Sequence, residues 1–155
     1  MKFTISWLKE HLDTQKSDQE LIDSLTNIGL EVEDVVNASE IFSNFIVAQV
    51  VEEKKHPNAD KLKVCRVDIG SDIVDVVCGA PNVEKDMKVV YAPPGSTIPS
   101  TQMKLKASKI RGVESLGMMC SEFELGISDD HDGIIKLDDS VKVGQLYAEI
   151  AGLND

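Results

Sequence analysis

The sequence predicts a mainly β protein carrying a small helical unit at its N-terminus, and three observations predict it. Four short β-rich runs, FIVAQVVEE, KLKVCRVDI, DIVDVVC and MKVVYA, are separated by turn-rich pieces containing HPNAD, GS and GAPN, the spacing of a small closed barrel. The first 36 residues instead place apolar side chains at helical intervals. The chain has 155 residues and 42% hydrophobic content, enough for one core of ordinary size with a small satellite.

Ile5, Leu8 and Leu12 mark a first helix. After a polar break, Ser17 and Glu20 form a capping box that opens a second, whose apolar face is Leu21, Ile22, Leu25 and Ile28. Gly29 supplies the left-handed residue that ends it, and LEVEDVV from Leu30 to Val36 reads as a strand. A unit of this size has too little apolar surface to stand alone, so it must pack on something else. After the polar NASE of Asn37–Glu40 the four β runs follow, with Leu62, Val64 and Val67 as core positions and Lys61, Lys63 and Arg66 toward solvent. PPGS at Pro93–Ser96 is a turn, and Lys104 to Ile110 is a further strand. SEFELGI holds one helical turn, SDDHDG is a loop, GIIKL a strand and VGQLYAEIAGL a closing segment.

The formal net charge of −11 argues against a nucleic-acid ligand, which needs a basic surface, but its distribution does not. Lys and Arg number 3 against 11 acidic residues from 1 to 53, 11 against 6 from 54 to 111, and 2 against 10 from 112 to 155. A basic middle between acidic ends is what an interaction face produces, and a solvated lysine-rich surface produces it too. No apolar run approaches the roughly 20 residues of a membrane span. MKFTISWLKEHLD carries charge where a signal peptide is apolar, so a cytoplasmic location is expected. Cys65, Cys78 and Cys120 are an odd set without a C-x-x-C pair; buried cysteines in a reducing compartment fit them best.

Several motifs are weaker than they look. Gly112 and Gly117 have the spacing of part of a phosphate loop, but Met118 stands where its lysine belongs. Ser128, Asp130, Asp132 and Gly133 partly follow a calcium loop, yet Ser at the first position and Asp139 at the last depart from it, so turn chemistry is the better account. The cysteines, His11, His56 and His131 offer no short metal-ligand pair, and no histidine is placed by sequence to activate Cys120. Aromatics make up only 5% of the chain, which disfavours base stacking and favours recognition through phosphate charge and shape.

HPNADKLKVCRVDIG at 56–70, VCGAPNV at 77–83 and KIRGVESLGMMCSEFELGI at 109–127 together resemble the tRNA-binding modules of oligonucleotide/oligosaccharide-binding (OB) type attached to several aminoacyl-tRNA synthetases. The N-terminal MKFTISWLKEHLD, capped helix and GLEVEDV are similar to the start of the β subunit of bacterial phenylalanyl-tRNA synthetase. The resemblance implies a mainly β fold with α, an OB-type β-barrel over residues 40–151 inserted into a small, truncated α/β N-terminal domain. Residues 1–39 would be that domain's helix-helix-strand unit and 152–155 the start of its return, leaving Trp7 and Leu8 partly exposed. It also implies a non-catalytic tRNA-binding and assembly region of phenylalanine–tRNA ligase, with catalytic and editing sites elsewhere. The partners implied are tRNA and a synthetase α subunit, in a heterotetramer of two α and two β chains. No cofactor is implied for this segment; ATP and Mg belong to the full enzyme only.

Candidate contacts to the RNA backbone are Lys54, Lys55, His56, Asn58, Lys61, Lys63, Arg66, Lys104, Lys106, Lys109 and Arg111, with the hydroxyls of Ser115 and Ser121 at the edge of a loop. One departure matters. Where many stand-alone tRNA-binding modules read Ser-Glu-Gly-Met, this chain has Ser115-Leu116-Gly117-Met118, without the acidic group. Two alternatives therefore stay open: a structural and assembly OB domain with little tRNA contact, or a stand-alone dimeric tRNA-binding protein, which leaves residues 1–37 unexplained.

Overall fold

The computed structural model describes residues 1–153. Its centre is a five-stranded antiparallel sheet of order β3-β2-β1-β4-β7, built from β1 (Ile46–Lys55), β2 (Lys63–Asp68), β3 (Ile73–Cys78), β4 (Lys88–Ala92) and β7 (Met118–Met119). A separate two-stranded hairpin pairs β5 (Ser108–Ile110) with β6 (Val113–Ser115). The mainly β class and its barrel-like closure agree with the sequence reading.

The segment between β6 and β7 closes the sheet on itself. Leu116 N–H donates to Asp75 O on the β3 edge, and Val77 N–H of the same strand donates to Ser115 Oγ. On the other side Tyr91 Oη of β4 donates to Leu116 O at 2.6 Å, and β7 then pairs with β4. One short stretch thus satisfies backbone groups on both edges, which an open sheet leaves exposed. Gly117 sits at the corner with φ +96, where a Cβ would lie 2.4 Å from Ala92 O and 2.7 Å from Tyr91 Oη. Only glycine fits both the backbone angle and the space.

Two apolar cores flank the sheet. Ala48, Val50, Cys65, Val67, Val76, Val83, Val89, Tyr91, Met119 and Ile134 fill the barrel. Phe42, Phe45, Val90, Ala92, Ile98, Leu105, Cys120, Leu125 and Tyr147 form the second core. There Phe42 meets Phe45 and Tyr147 edge-on at 5.4 and 5.5 Å. β4 alternates between them, Val89 and Tyr91 to one and Val90 and Ala92 to the other. That is why VVYA, from Val89 to Ala92, reads as an unbroken apolar run. Phe42 caps the short helix α3 (Ala38–Ile41), and Tyr147 starts α4 (Tyr147–Ile150).

At the N-terminus the two expected helices form as α1 (Ile5–His11) and α2 (Asp18–Asn27). The Ser17–Glu20 capping box is complete, and Gly29 takes φ +90. Leu21 is their one side chain reaching full burial; Trp7 is 51% exposed and Leu8 half-buried.

Several expected elements differ. Residues 30–36 form no strand: they pair with no other strand, and Leu30, Val35 and Val36 are exposed. From Lys104 to Ile110 only the last three residues pair as β5; Lys104 makes a single bridge to Thr97. GIIKL is reduced to one bridge, Lys136 to Val89. In β2 the inward residues are Cys65 and Val67, so Val64 lies on the opposite face with Arg66 instead of in the core. Asn37–Glu40, read as a polar break, caps and begins α3, with Asn37 Oδ1 accepting from Ser39 N–H. Of the 152–155 segment, the last two residues lie outside the described residues.

Candidate nucleic-acid interface

The β1–β2 turn and the β5–β6 hairpin tip are far apart in sequence and joined in space by two side chains. His56, 3% exposed, makes a 2.9 Å hydrogen bond from Nε2 to Ile110 O, while its Nδ1 accepts from Asn58 N–H at 3.0 Å. An acceptor on each side of this arrangement is satisfied only if the ring proton sits on Nε2. Asn58 Nδ2 then donates to Arg111 O at 3.1 Å. The turn that carries Lys54, Lys55 and Lys61 is thereby joined to the tip that carries Lys109 and Arg111, and all five side chains are exposed.

Under the turn lies a shallow cavity of about 350 Å³, lined by Lys54, Lys55, Lys61 and Lys63 with Leu62 and Pro81 as its apolar surfaces. Glu53 and Asp60 also line it. The charge is therefore not all free. Lys54 pairs with Glu52 at 2.9 Å, Lys55 with Asp60 at 3.2 Å, and Arg66 with Glu52 at 3.9 Å. The Lys54 ammonium, with help from Arg66 and Lys85, holds the Glu52 carboxyl below its ordinary value. Such exposed pairs are weak and screened by salt. Lys61, Lys109 and Arg111 form no ion pair among the described residues.

Lys63 belongs to a different environment. It lies at the inward parity of β2, and its ammonium bonds Glu53 at 2.6 Å and Val83 O at 2.9 Å. The Glu53 contact raises its pKa, so the lysine stays charged and committed to pinning the loop after β3. Ser115 and Ser121 are buried: the first accepts from Val77 N–H, and the second bonds the Glu124 carboxylate through both its N–H and its hydroxyl. Lys104 and Lys106 are exposed on the segment leading into β5, whose backbone is tied to Ser96 and Ile98 near the second core.

Reading the sequence for cations alone missed Lys85, an exposed lysine near enough to Glu52 to affect its carboxyl. It missed the acidic partners Glu52, Glu53 and Asp60 as well. The EEKK order of residues 52–55 was the available signal. It also missed Asn82, whose amide bonds Ile134 N–H and O together, tying the GAPN loop to the strand-like segment after the acidic loop.

A second open cavity, about 290 Å³, borders the first through Ala80 and Pro81 and is lined by Met118, Ser121, Glu124 and His131. The three cysteines are free and buried. Burial pushes the Cys65 thiol up to about 12 and that of Cys120 higher still, which suits packing and not nucleophilic chemistry. Among the described residues no group of His, Cys, Asp and Glu is arranged to hold a metal ion, and no helix is long and apolar enough to cross a membrane.

Residues 45–146, the whole barrel with its hairpin, match the family model described as a putative tRNA binding domain. The chain belongs to that family. Curated relatives extend the match of this tRNA-binding domain to the N-terminal unit. The phenylalanine–tRNA ligase β subunits of Nitrobacter winogradskyi and Rhodopseudomonas palustris are each 52% identical over all of this chain, and that of Rhodospirillum rubrum is 50% identical over 99% of it. The chain spans about a fifth of the length of these relatives, 20% of the first two. The resemblance drawn from the motifs, to the N-terminal part of this β subunit, is thus shown. Among solved structures, a MetRS-related protein from Pyrococcus horikoshii aligns with a TM-score of 0.52 and 22% identity, covering 73% of this chain and 97% of that one. That likeness concerns the fold.

Proposed function

We propose that this tRNA-binding domain contacts tRNA through the basic edge made by the β1–β2 turn and the β5–β6 tip, and that it does so without catalysing a reaction. The observation carrying this reading is the joint itself: His56 and Asn58 tie the turn bearing Lys54, Lys55 and Lys61 to the tip bearing Lys109 and Arg111. Lys61, Lys109 and Arg111 are the principal phosphate contacts, since no carboxylate has to be displaced from them. Lys54, Lys55 and Arg66 exchange a weak surface pair for a phosphate on binding. Lys104 and Lys106 extend the edge, whereas His56, Lys63, Ser115 and Ser121 support it from within. The reading also takes residues 40–151 as the module and 1–39 as part of a neighbouring small domain. The full protein would be a phenylalanine–tRNA ligase β subunit, with an α subunit as its partner and its reaction chemistry outside this segment.

If the five edge cations each neutralise one phosphate, the log-log salt slope of tRNA binding is about −3.5 to −4.5. Fluorescence anisotropy of labelled tRNA with this chain between 50 and 200 mM salt measures it. A slope near zero, or no binding at low salt, removes the reading.

A second reading, a structural and assembly role with little RNA contact, is favoured by one observation. Glu52, Glu53 and Asp60 already partner four of the candidate cations. It predicts that charge reversal at Lys61, Lys109 and Arg111 leaves the KM of the full ligase for tRNA unchanged.

A further inference from the structure

The β5–β6 hairpin is an unlikely piece of structure to hold its shape alone. Its strands are three residues long, and two-stranded hairpins are marginal in water. Its turn also places Arg111 at φ 48 and Gly112 at φ 89. This is the two-residue turn that favours Asn-Gly, and a non-glycine residue there is strained. The hairpin is held at both ends. At its base, Ser115 and Leu116 bond β3 through Val77 N–H and Asp75 O. At its tip, the two carbonyls before and within the strained turn, Ile110 O and Arg111 O, accept from His56 Nε2 and Asn58 Nδ2.

Resting on the tRNA reading above, we propose that His56 and Asn58 are positioning residues: they act through the hairpin's carbonyls to fix where Lys109 and Arg111 stand, and they do not touch the RNA. Both of His56's ring nitrogens are occupied and the ring is closed off from solvent. Nothing of it is left to offer a phosphate. Asn58 is exposed, and one N–H of its side-chain amide is directed at Arg111 O, which turns that group toward the hairpin tip. The HPNAD string then has a geometric role. His at the first position and Asn at the third reach two successive carbonyls of one turn, and Pro57 between them restricts the backbone that sets their spacing. The basic charges supply attraction, while these two uncharged groups decide its register.

Asn58→Ala removes the tip anchor at an exposed position where the barrel core is untouched. In the chain alone, amides of Lys109–Gly112 should exchange with solvent at least several-fold faster in this variant, while those of β1, β2 and β4 keep their rates. In tRNA binding, Asn58→Ala should weaken affinity by roughly three- to tenfold. The same substitution made on a Lys109→Ala/Arg111→Ala background should cost less than about 1.5-fold, because the groups it positions are gone. An undiminished loss on that background means Asn58 contacts RNA directly and overturns the proposal. Unchanged exchange at the tip overturns it too. If the wild-type chain binds no tRNA, the functional reading fails by itself, and the exchange measurement still decides the positioning role.

Discussion

Gly117→Ala is the substitution to which the barrel should be most sensitive for its size. The added methyl would stand 2.4 Å from Ala92 O and 2.7 Å from both a ring carbon and the hydroxyl of Tyr91. Neither neighbour can yield: Ala92 lies in β4, and Tyr91 is 1% exposed with its hydroxyl bonded to Leu116 O. A left-handed non-glycine residue costs about 1–2 kcal/mol, and overpacking of this kind adds about 1–3 kcal/mol. The reduced freedom of the unfolded chain returns about 0.4–1 kcal/mol. The net loss is roughly 3 kcal/mol, and with a urea m-value of about 2 kcal/mol/M the midpoint should fall by about 1.5 M. Gly126→Ala is the control, since Gly126 also has a positive φ, +71, but nothing within 4 Å of its Cβ position. It bears the strain alone, and its midpoint should fall by no more than about 0.5 M. Equal shifts in the two variants would refute the claim that close approach at the closing corner is what demands glycine.

Other consequences follow from single contacts. Ser115→Ala leaves Val77 N–H without its acceptor and should cost about 1–3 kcal/mol in denaturant unfolding; a loss under 0.5 kcal/mol would mean that water replaces the hydroxyl. The Ser17 backbone N–H and hydroxyl hold the Glu20 carboxyl below its ordinary 4.5. The capping box therefore stabilises α2 fully above that pH and loses its contribution as pH falls through the lowered value. An NMR titration should give Glu20 a midpoint below 4.5, moving up in Ser17→Ala. The buried, upward-shifted thiols of Cys65 and Cys120 should resist maleimide at pH 8 in the native state and react on unfolding; fast native labelling would contradict their packing. The Phe3 and Trp7 rings lie 6.0 Å apart, tilted to one another, and are exposed, as are Leu30, Val35 and Val36 farther along the chain. Sedimentation velocity should show concentration-dependent association that Trp7→Ser reduces.

The sequence made the barrel strands legible because each is a short β-rich run ended by a turn string. It misled where a run lacked a partner. LEVEDVV has the composition of a strand, and composition is blind to whether another edge is free to receive it. Val64 and Val67 cannot share a face of one regular strand, and β2 pairs with β3 without a register shift, so with Cys65 and Val67 inward Val64 turns outward. The motif blocks were recognisable as blocks, yet what most of their residues do is visible only in three dimensions. His56, Asn82, Ser115 and Gly117 are joints of the fold. Position 116 illustrates the point. Its N–H and carbonyl are both used in closing the barrel, so the closure depends on the backbone of this residue and not on its side chain.

Lysine footprinting of the chain with and without tRNA tests the central claim most directly. Acetylation of Lys54, Lys55, Lys61 and Lys109 should be suppressed several-fold by tRNA at low salt, with protection lost as salt rises, while Lys2, Lys16 and Lys142 react as before. Protection spread evenly over all lysines, or confined to residues outside the joined edge, would contradict it.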